Sequence, residues 1–491
     1  MPETNHIPKL SHLVVFFFCA VLLYSVGNST LPLIDRDEPR FAEASREMLQ
    51  GGDFLIPHLN GDYRFDKPPL IYWCQVLAFK LLGDSDFAAR FPSVVFAALA
   101  GVCTILWASR IFGVSKGFWA GIIFGSSLQM FVHARAAVAD MPMVFFFLVA
   151  SWASWERLYD GRSRTWWWVF YLSLGIGFLA KGPVALLPAL FAPLQAFLNR
   201  SPYRFNPLSA CAGVFVVLAV IGSWGIPALV ATHGEFLQVG IGKHVVQRSL
   251  QPMESHGAKG LLGYVLFLPF YAITVFVSLA PWSIFLPRTI GRLRCSRGPD
   301  ENYLIGAICV VVLVFTVIQT KLPHYILPAF AMLAMLLASQ VEAFRYKLQL
   351  LAATVACFLA IAIFGFRAIE PEFLSKTIAQ RVLPLVSPET RTGSINYDEQ
   401  SLIWYLRAKT RPFHMRLDPG QFAGFMSQPG SALCVVTKEL AEKLAIDPAW
   451  KTFETSGHNF ARWRMGPVEL FGIRFKWPMP QRLELVTIVK D

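Results

Sequence analysis

Long apolar runs, separated by short polar loops, repeat along three quarters of the chain, approximately at 13–33, 87–107, 118–138, 141–155, 166–180, 184–198, 208–230, 261–286, 303–318, 325–338 and 348–366. Each approaches the length needed to cross a hydrocarbon layer, about 20 residues, though several sit near the lower limit. The pattern predicts a polytopic α-helical membrane protein with about 11 transmembrane helices. Within the first run Ser25-Val26-Gly27 imitates a cleavage site of small residues. Because the run continues through the uncharged GNST to Leu33, the expectation is an uncleaved span. After residue 366 the pattern changes to alternating polar and apolar positions, and SALCVVTKELAEKLA reads as a strand leading into a helix. The expected division is therefore a membrane domain over 1–366, containing a first external loop over 31–86, and a small mixed α/β domain over 367–491. In the latter, His458 and the WRMGP segment read as surface and turn features.

Composition sharpens the class. Of 491 residues 55% are hydrophobic and only 15% charged, which excludes an ordinary soluble domain. The formal charge of +12 raises the question of nucleic acid, but the basic residues lie scattered between apolar runs and form no stripe with interleaved aromatics. No nucleic-acid partner is expected. The positive-inside rule accounts for the charges better. With a cytoplasmic N-terminus, every internal loop is basic: Arg110 and Lys116, Arg157 to Arg164, Arg200 and Arg204, Arg288 to Arg297, then Arg345 and Lys347. The same count puts Asp37, Asp66, Lys67, Asp140, Lys181, Lys321 and the last domain on the extracytoplasmic side of a cell (inner or plasma) membrane. Eight cysteines scattered singly, without CxxC spacing, predict neither a disulfide framework nor a zinc ribbon. Gly240-Ile241-Gly242-Lys243 lacks the spacing of a phosphate-cradling loop.

The chemistry concentrates in Ile34 to Trp73, which is polar and motif-dense within a mostly hydrocarbon chain. Two charged clusters, DRDEPR from Asp35 and RFDKPP from Arg64, flank a segment with helical character over 39–50. Pro39 suits a helix start, Gly51-Gly52 supplies the stop, and Phe41, Ala44 and Met48 fall on one face. This predicts a short amphipathic helix lying at the membrane surface. Asp37 and Glu38 serve either as an interfacial helix-cap pair or as carboxylates at the rim of a cavity, able to take a proton from a hydroxyl. Asp140, in AVADMP, has the same two readings. Lys67, Arg40, Lys181 and Lys321 either snorkel to headgroups or surround a phosphate. Asp66 and a histidine of the 232–260 loop, His256 or His244, either share a divalent metal ion or, for the histidine, serve as a hydrogen-bonding surface residue.

The run DEPRFAEASREML, followed by PHLNG and FDKPPLIYW, resembles the first external loop of GT-C glycosyltransferases of the aminoarabinose transferase type, relatives of the protein O-mannosyltransferases. The similarity continues through Asp140 and KLPHYILP and fades in the last quarter. It implies a GT-C fold and an inverting enzyme that takes a sugar from a polyprenyl-phosphate donor and passes it to a lipid, glycan or protein acceptor among membrane lipids. It maps the family's main acidic residue onto Asp37, with Asp140 as a second carboxylate, and places Lys67 at the donor phosphate with Tyr325 nearby. Where relatives commonly carry glutamate before this lysine, the chain has Asp66, one methylene shorter. The competing class is a lipid or small-molecule transporter, which would place ionisable groups near the bilayer midplane within repeated halves. Here they gather at one rim, and no repeat is visible.

Overall fold

Proline and paired serines decide where the apolar runs become straight helices and where they break. The computed structural model describes residues 7–159, 163–198, 206–236, 238–240, 265, 267–470 and 473–491. It divides into a helical unit (1–25, 65–74 and 90–359) and a mixed unit (26–64, 75–89 and 360–491). Most of the first polar loop thus groups with the last domain and not with the helices, unlike the division at residue 366. Among the described residues, Asp86–Phe112, Pro207–Ala231, Pro299–Val317, Pro323–Ala343 and Lys347–Glu372 are each long and apolar enough to cross a membrane. Phe270–Ser278 and Trp282–Cys295, bent by 118°, make a sixth if counted as one span.

Several expected runs are not single helices. Leu10–Ser25 stops short of Leu33 because Gly27 takes a left-handed φ of 82° and its carbonyl accepts from the Thr30 and Leu31 amides in a turn. The 118–138 run breaks into Val114–Gly125 and Leu128–His133. At the break the Ser127 hydroxyl donates to the Phe124 carbonyl, and the Ser126 hydroxyl, bonded back to Ile122, also receives the Trp282 indole N–H at 3.0 Å. The runs at 184 and 325 open as 3₁₀ segments, Pro183–Leu190 and Pro323–Ala329. Each starts on a proline and carries a second, Pro188 or Pro328, whose missing N–H removes an α-helical bond. The core of this unit is aliphatic and aromatic, with Trp107, Phe124, Phe147, Trp282, Phe330 and Leu337 fully enclosed.

The mixed unit begins with a hairpin of β1 (His58–Leu59) and β2 (Asp62–Tyr63), whose turn, Asn60-Gly61, has both φ angles positive, 56° and 85°. Its main sheet comprises β3 (Arg391–Ile395), β4 (Met415–Arg416), β5 (Ala432–Thr437), β6 (Lys451–Leu470) and β7 (Ile473–Lys490), in the order β4-β3-β5-β7-β6. β3 pairs in parallel with β4 and β5, while β7 runs antiparallel to β5 and β6. Alternation along β5 sends Leu433 and Val435 to one face, against Leu374, Ile378, Leu402 and Leu406. Ala432, Cys434 and Val436 go to the other, against Phe422, Phe425 and Met426. The strand-then-helix reading of SALCVVTKELAEKLA matches β5 and Lys438–Ala441. His458 and residues 463–467 instead lie within β6, because the long β6–β7 hairpin carries the chain through them, with a register shift between Asn459 and Trp463.

The polar helix spans Asp37–Gly51, two residues earlier than Pro39 implies, with acidic Asp37 and Glu38 in its first turn and Gly52 closing it in the left-handed region. It does not lie on a surface. From Phe41 through Met48 every residue is buried, including Glu43, Arg46 and Glu47, so the polar face is enclosed by partners. Arg46 donates to Glu43 (2.6 Å), Asp84 (2.6 Å) and the Trp404 carbonyl (2.7 Å), with its guanidinium 3.5 Å from the Trp404 ring centroid. Arg407 spans Glu43 (2.7 Å) and Glu47 (2.5 Å). Glu47 in turn accepts from the Asn60 and Gly61 amides at the hairpin turn. Burial pushes the Glu43 carboxyl up to about 7 against the pull of Arg46 and Arg407. Removing Arg407 would strand two enclosed carboxylates. Arg407→Ala is expected to destabilise the mixed unit by about 3–5 kcal/mol, more above pH 7 than below it, where Glu43 can take up a proton. Unfolding midpoints of the purified protein across pH check this, and a loss below about 1 kcal/mol would rank the network with surface pairs.

Candidate functional site

Three of the carboxylates near the start of the polar helix are held by the protein itself, and one is not. Glu38 accepts from the Ile34 amide at 2.8 Å. Asp35 accepts from the Ser401 amide at 2.8 Å and from its hydroxyl, serving as a distant cap for the helix Gln400–Leu406. Glu43 is consumed by the two arginines. The Leu33 amide donates to the Tyr405 hydroxyl, so the segment before the helix is tied at 33, 34 and 35. Asp37 is left as an exposed carboxylate on a fixed backbone at a helix N-terminus. Arg36 and Arg40, on either side of it in sequence, line a cavity of about 170 Å³ with Arg416, Arg462 and the segment Asp398 to Gln400.

The helical unit has its own polar cluster. Asp140 opens the helix Asp140–Tyr159, is 6% exposed and accepts from Lys181 at 2.5 Å. Lys181 ends the next helix, Arg164–Lys181, where a cation also complements the helix C-terminus. Its ammonium lies 5.8 Å from the Tyr325 ring centroid. His324 packs against His133 with centroids 4.7 Å apart and the rings tilted by 38°, and both imidazoles lie close enough to act on the Asp140 charge. Gln129 bonds His133 Nδ1 at 2.9 Å and accepts from the Ser278 hydroxyl at 3.0 Å, which makes its amide the donor and leaves the imidazole proton on Nε2. Such a cluster can hold an anion beside Lys181 and carry a proton through imidazole.

Comparison with known proteins fits this architecture. Residues 66–225 match the family described as dolichyl-phosphate-mannose-protein mannosyltransferase. The fold resembles ArnT from Cupriavidus metallidurans, solved with undecaprenyl phosphate, with a TM-score of 0.76 at 17% identity over 98% of both chains. It also resembles the oligosaccharyltransferase AglB of Archaeoglobus fulgidus, with a TM-score of 0.52 at 12% identity over 88% of this chain and 70% of that one. In sequence, the undecaprenyl phosphate-alpha-4-amino-4-deoxy-L-arabinose arabinosyl transferase of Yersinia enterocolitica is 32% identical over 368 residues, 72% of this chain. That of Edwardsiella ictaluri is 30% identical over 335 residues, 66% of this chain. The chain is similar in sequence to aminoarabinose transferases and has the fold of the GT-C membrane glycosyltransferases. It spans 63% and 58% of the lengths of those two relatives, less than two thirds. Its apolar helices and fold make it a multi-pass integral membrane protein with a C-terminal sheet domain.

Within this GT-C chain the expected site residues have distinct surroundings. Asp140, Lys181 and Tyr325 come together. Lys67 and Asp66 pair with one another at 2.9 Å, each side chain less than a fifth exposed, so both belong to a half-buried ion pair in the helical unit. Lys321 differs from its assignment. Its ammonium donates to the carbonyls of Phe315, Thr316 and Ile318 and so caps the end of Pro299–Val317, a structural task. Among the described residues no group of three or more His, Cys, Asp or Glu side chains could hold a metal, and His244 and His256 lie outside them. Asp66, already engaged by Lys67, does not form a donor set on its own. Sequence reasoning missed His133, His324 and Gln129. HYILP did display His324, but nothing in the FVHAR segment marked His133 as its neighbour.

Asp35 also went unmarked, although it sits between the tied residues and Asp37. Burial pushes its carboxyl up to about 7, with the Ser401 hydrogen bonds opposing that shift. The folded protein therefore keeps a proton that the unfolded chain releases near pH 4, and stability from this group falls as pH rises from about 4 to about 7. Asp35→Asn is expected to flatten that stretch of the stability profile while keeping the bond to the Ser401 amide. Unfolding midpoints measured across it would show the same slope in both proteins if the carboxyl were ionised throughout.

Proposed function

We propose that the protein is an inverting glycosyltransferase that takes a sugar from a polyprenyl-phosphate carrier and transfers it, at the extracytoplasmic face of the membrane, to a lipid, glycan or protein acceptor. The observation that carries this reading is the division of labour around Asp37. Its acidic neighbours hold the backbone while its own carboxylate stays exposed. In the proposed reaction Asp37 accepts the proton of the acceptor hydroxyl as that oxygen bonds the anomeric carbon. The carbon–oxygen bond to the carrier breaks on the opposite side, and the polyprenyl phosphate leaves with the electron pair. The ammonium groups of Lys67 and Lys181, each beside a carboxylate, offer N–H donors to the phosphate. The names of the relatives support the donor class, since they describe transfer from undecaprenyl phosphate-linked aminoarabinose. No observation favours a transporter.

Two experiments test the proposal. Asp37→Asn keeps the size of the side chain and its place in the first turn. It is expected to retain carrier binding and lose transfer by about a hundred- to ten-thousand-fold in a reconstituted assay, as removal of a general base predicts. Wild-type transfer by the asparagine variant would reduce Asp37 to a helix cap. For sidedness, the basic loops support a cytoplasmic N-terminus and an external sheet domain. Reporter fusions after Asp300 and after Glu370 should report opposite sides of the membrane, and a common side would undo the odd span count.

A further inference from the structure

The β6–β7 hairpin outgrows the sheet that carries it. β5 pairs with β7 only over Leu485–Lys490, so beyond Asn459 and Gln481 the two strands continue as a ribbon, paired only with each other among the described residues. A bare two-stranded ribbon is marginal in water. Three of its side chains are also poorly suited to water: Trp463 is 57% exposed, Met465 61% and Met479 42%. The Trp463 indole N–H donates to the Phe460 carbonyl at 2.8 Å, which satisfies its polar edge and leaves the ring exposed. Between Arg462 and Arg482 the sequence carries five basic residues, Arg462, Arg464, Arg474, Lys476 and Arg482, against one acid, Glu469.

The root of this ribbon is fastened to the end of a membrane span. Lys347–Glu372 is long and apolar enough to cross a bilayer, and the residues at its exit grip β6. Phe373 bridges His458 through the backbone and stacks on Phe460 with centroids 4.3 Å apart, while Glu372 meets His458 Nδ1 at 2.6 Å. Gly457 permits this approach, since a Cβ there would stand 2.6 Å from the Glu372 carbonyl oxygen. Phe373 follows Phe366, the last residue of the apolar run, by about 10 Å of helix, which puts the root at headgroup level. From Phe460 to Leu470 the ribbon is about 30 Å long, enough to run across that layer. We propose that the ribbon is a membrane contact: Trp463, Met465 and Met479 seat in the headgroup layer of an anionic bilayer, and the basic residues among them meet its negative surface. Tryptophan beside arginine suits such an interface, because the ring has an apolar body and each guanidinium gains from the surface potential. Continuity with the span favours lipid over a soluble partner, which needs no root at the bilayer. The contact holds the mixed unit against the membrane and does not depend on the glycosyltransferase reading.

The test places photoreactive p-benzoylphenylalanine at position 465 of the full-length protein, reconstituted in nanodiscs of phosphatidylglycerol and phosphatidylcholine in equal parts, or of phosphatidylcholine alone. Irradiation followed by intact-mass spectrometry is expected to show lipid adducts, with more of them in the anionic discs. The same group at position 451, exposed at the other end of β6, should capture little lipid. Arg464→Gln combined with Arg482→Gln, both at exposed positions, is expected to lower capture in the anionic discs about fivefold or more and to leave it unchanged in the neutral ones. Absence of lipid adducts at 465, or adducts to a second copy of the chain in their place, would overturn the membrane contact. That readout decides the contact however the arginine variant folds. Capture indifferent both to headgroup charge and to the arginine substitutions would overturn the choice of anionic lipid. No step requires turnover, so a protein that transfers no sugar and still captures lipid here would refute the enzyme reading alone.

Discussion

Enclosing a charged side chain is tolerable only when its counter-charge is enclosed with it, and the mixed unit is built around that constraint. Glu43, Glu47, Arg46 and Arg407 have almost no access to solvent, and each answers another. Residues 43 and 407 are distant in sequence, so the network forces the first polar loop and the helix Gln400–Leu406 into a single core. The remaining ties follow the same seam: Trp404 and Tyr405 donate to Asp86, and Asn60 exchanges two hydrogen bonds with the backbone of His414. The imidazole of His414 itself sits between the hydroxyls of Thr392 and Ser394, and burial pushes it down to about 4. The loop that carries Asp37 thereby acquires the rigidity of a folded domain. Positioned charge is what catalysis by preorganisation requires.

In the helical unit the same economy appears in two segments that look alike in sequence. Lys181-Gly182-Pro183 and Lys321-Leu322-Pro323 each place a lysine two residues before a proline-led 3₁₀ segment, Lys181 as the last residue of a helix and Lys321 four residues past the end of one. Proline supplies the break, and the lysine has to do something with its charge. One ammonium finds a carboxylate on a neighbouring helix, Asp140, and becomes part of a cluster with Tyr325 and two histidines. The other finds the open carbonyls of the helix it follows. Similar local sequence yields an ion pair once and a helix cap once, and the difference lies in what packs alongside.

How much was legible in the chain beforehand follows from the range of each interaction. Apolar periodicity and loop charge are local properties, so the membrane class, the helical unit and the presence of a C-terminal sheet domain could be read directly. The resemblance singled out Asp37 and Lys67 as candidates, and position at the outer ends of the spans added Asp140 and Lys181. Local pattern equally misled: a helix with polar Glu43, Arg46 and Glu47 on one side resembles a surface helix unless the partners from residues 84, 404 and 407 are known. Tertiary structure alone decided that Asp35 and Glu38 are latches and Asp37 is exposed, that Lys321 is a cap, that His133 meets His324, and that four arginines from three separate segments share one cavity. The reason is physical: a titratable side chain takes its role from the charges, hydrogen bonds and solvent around it, and for these residues those surroundings come from parts of the chain far away in sequence.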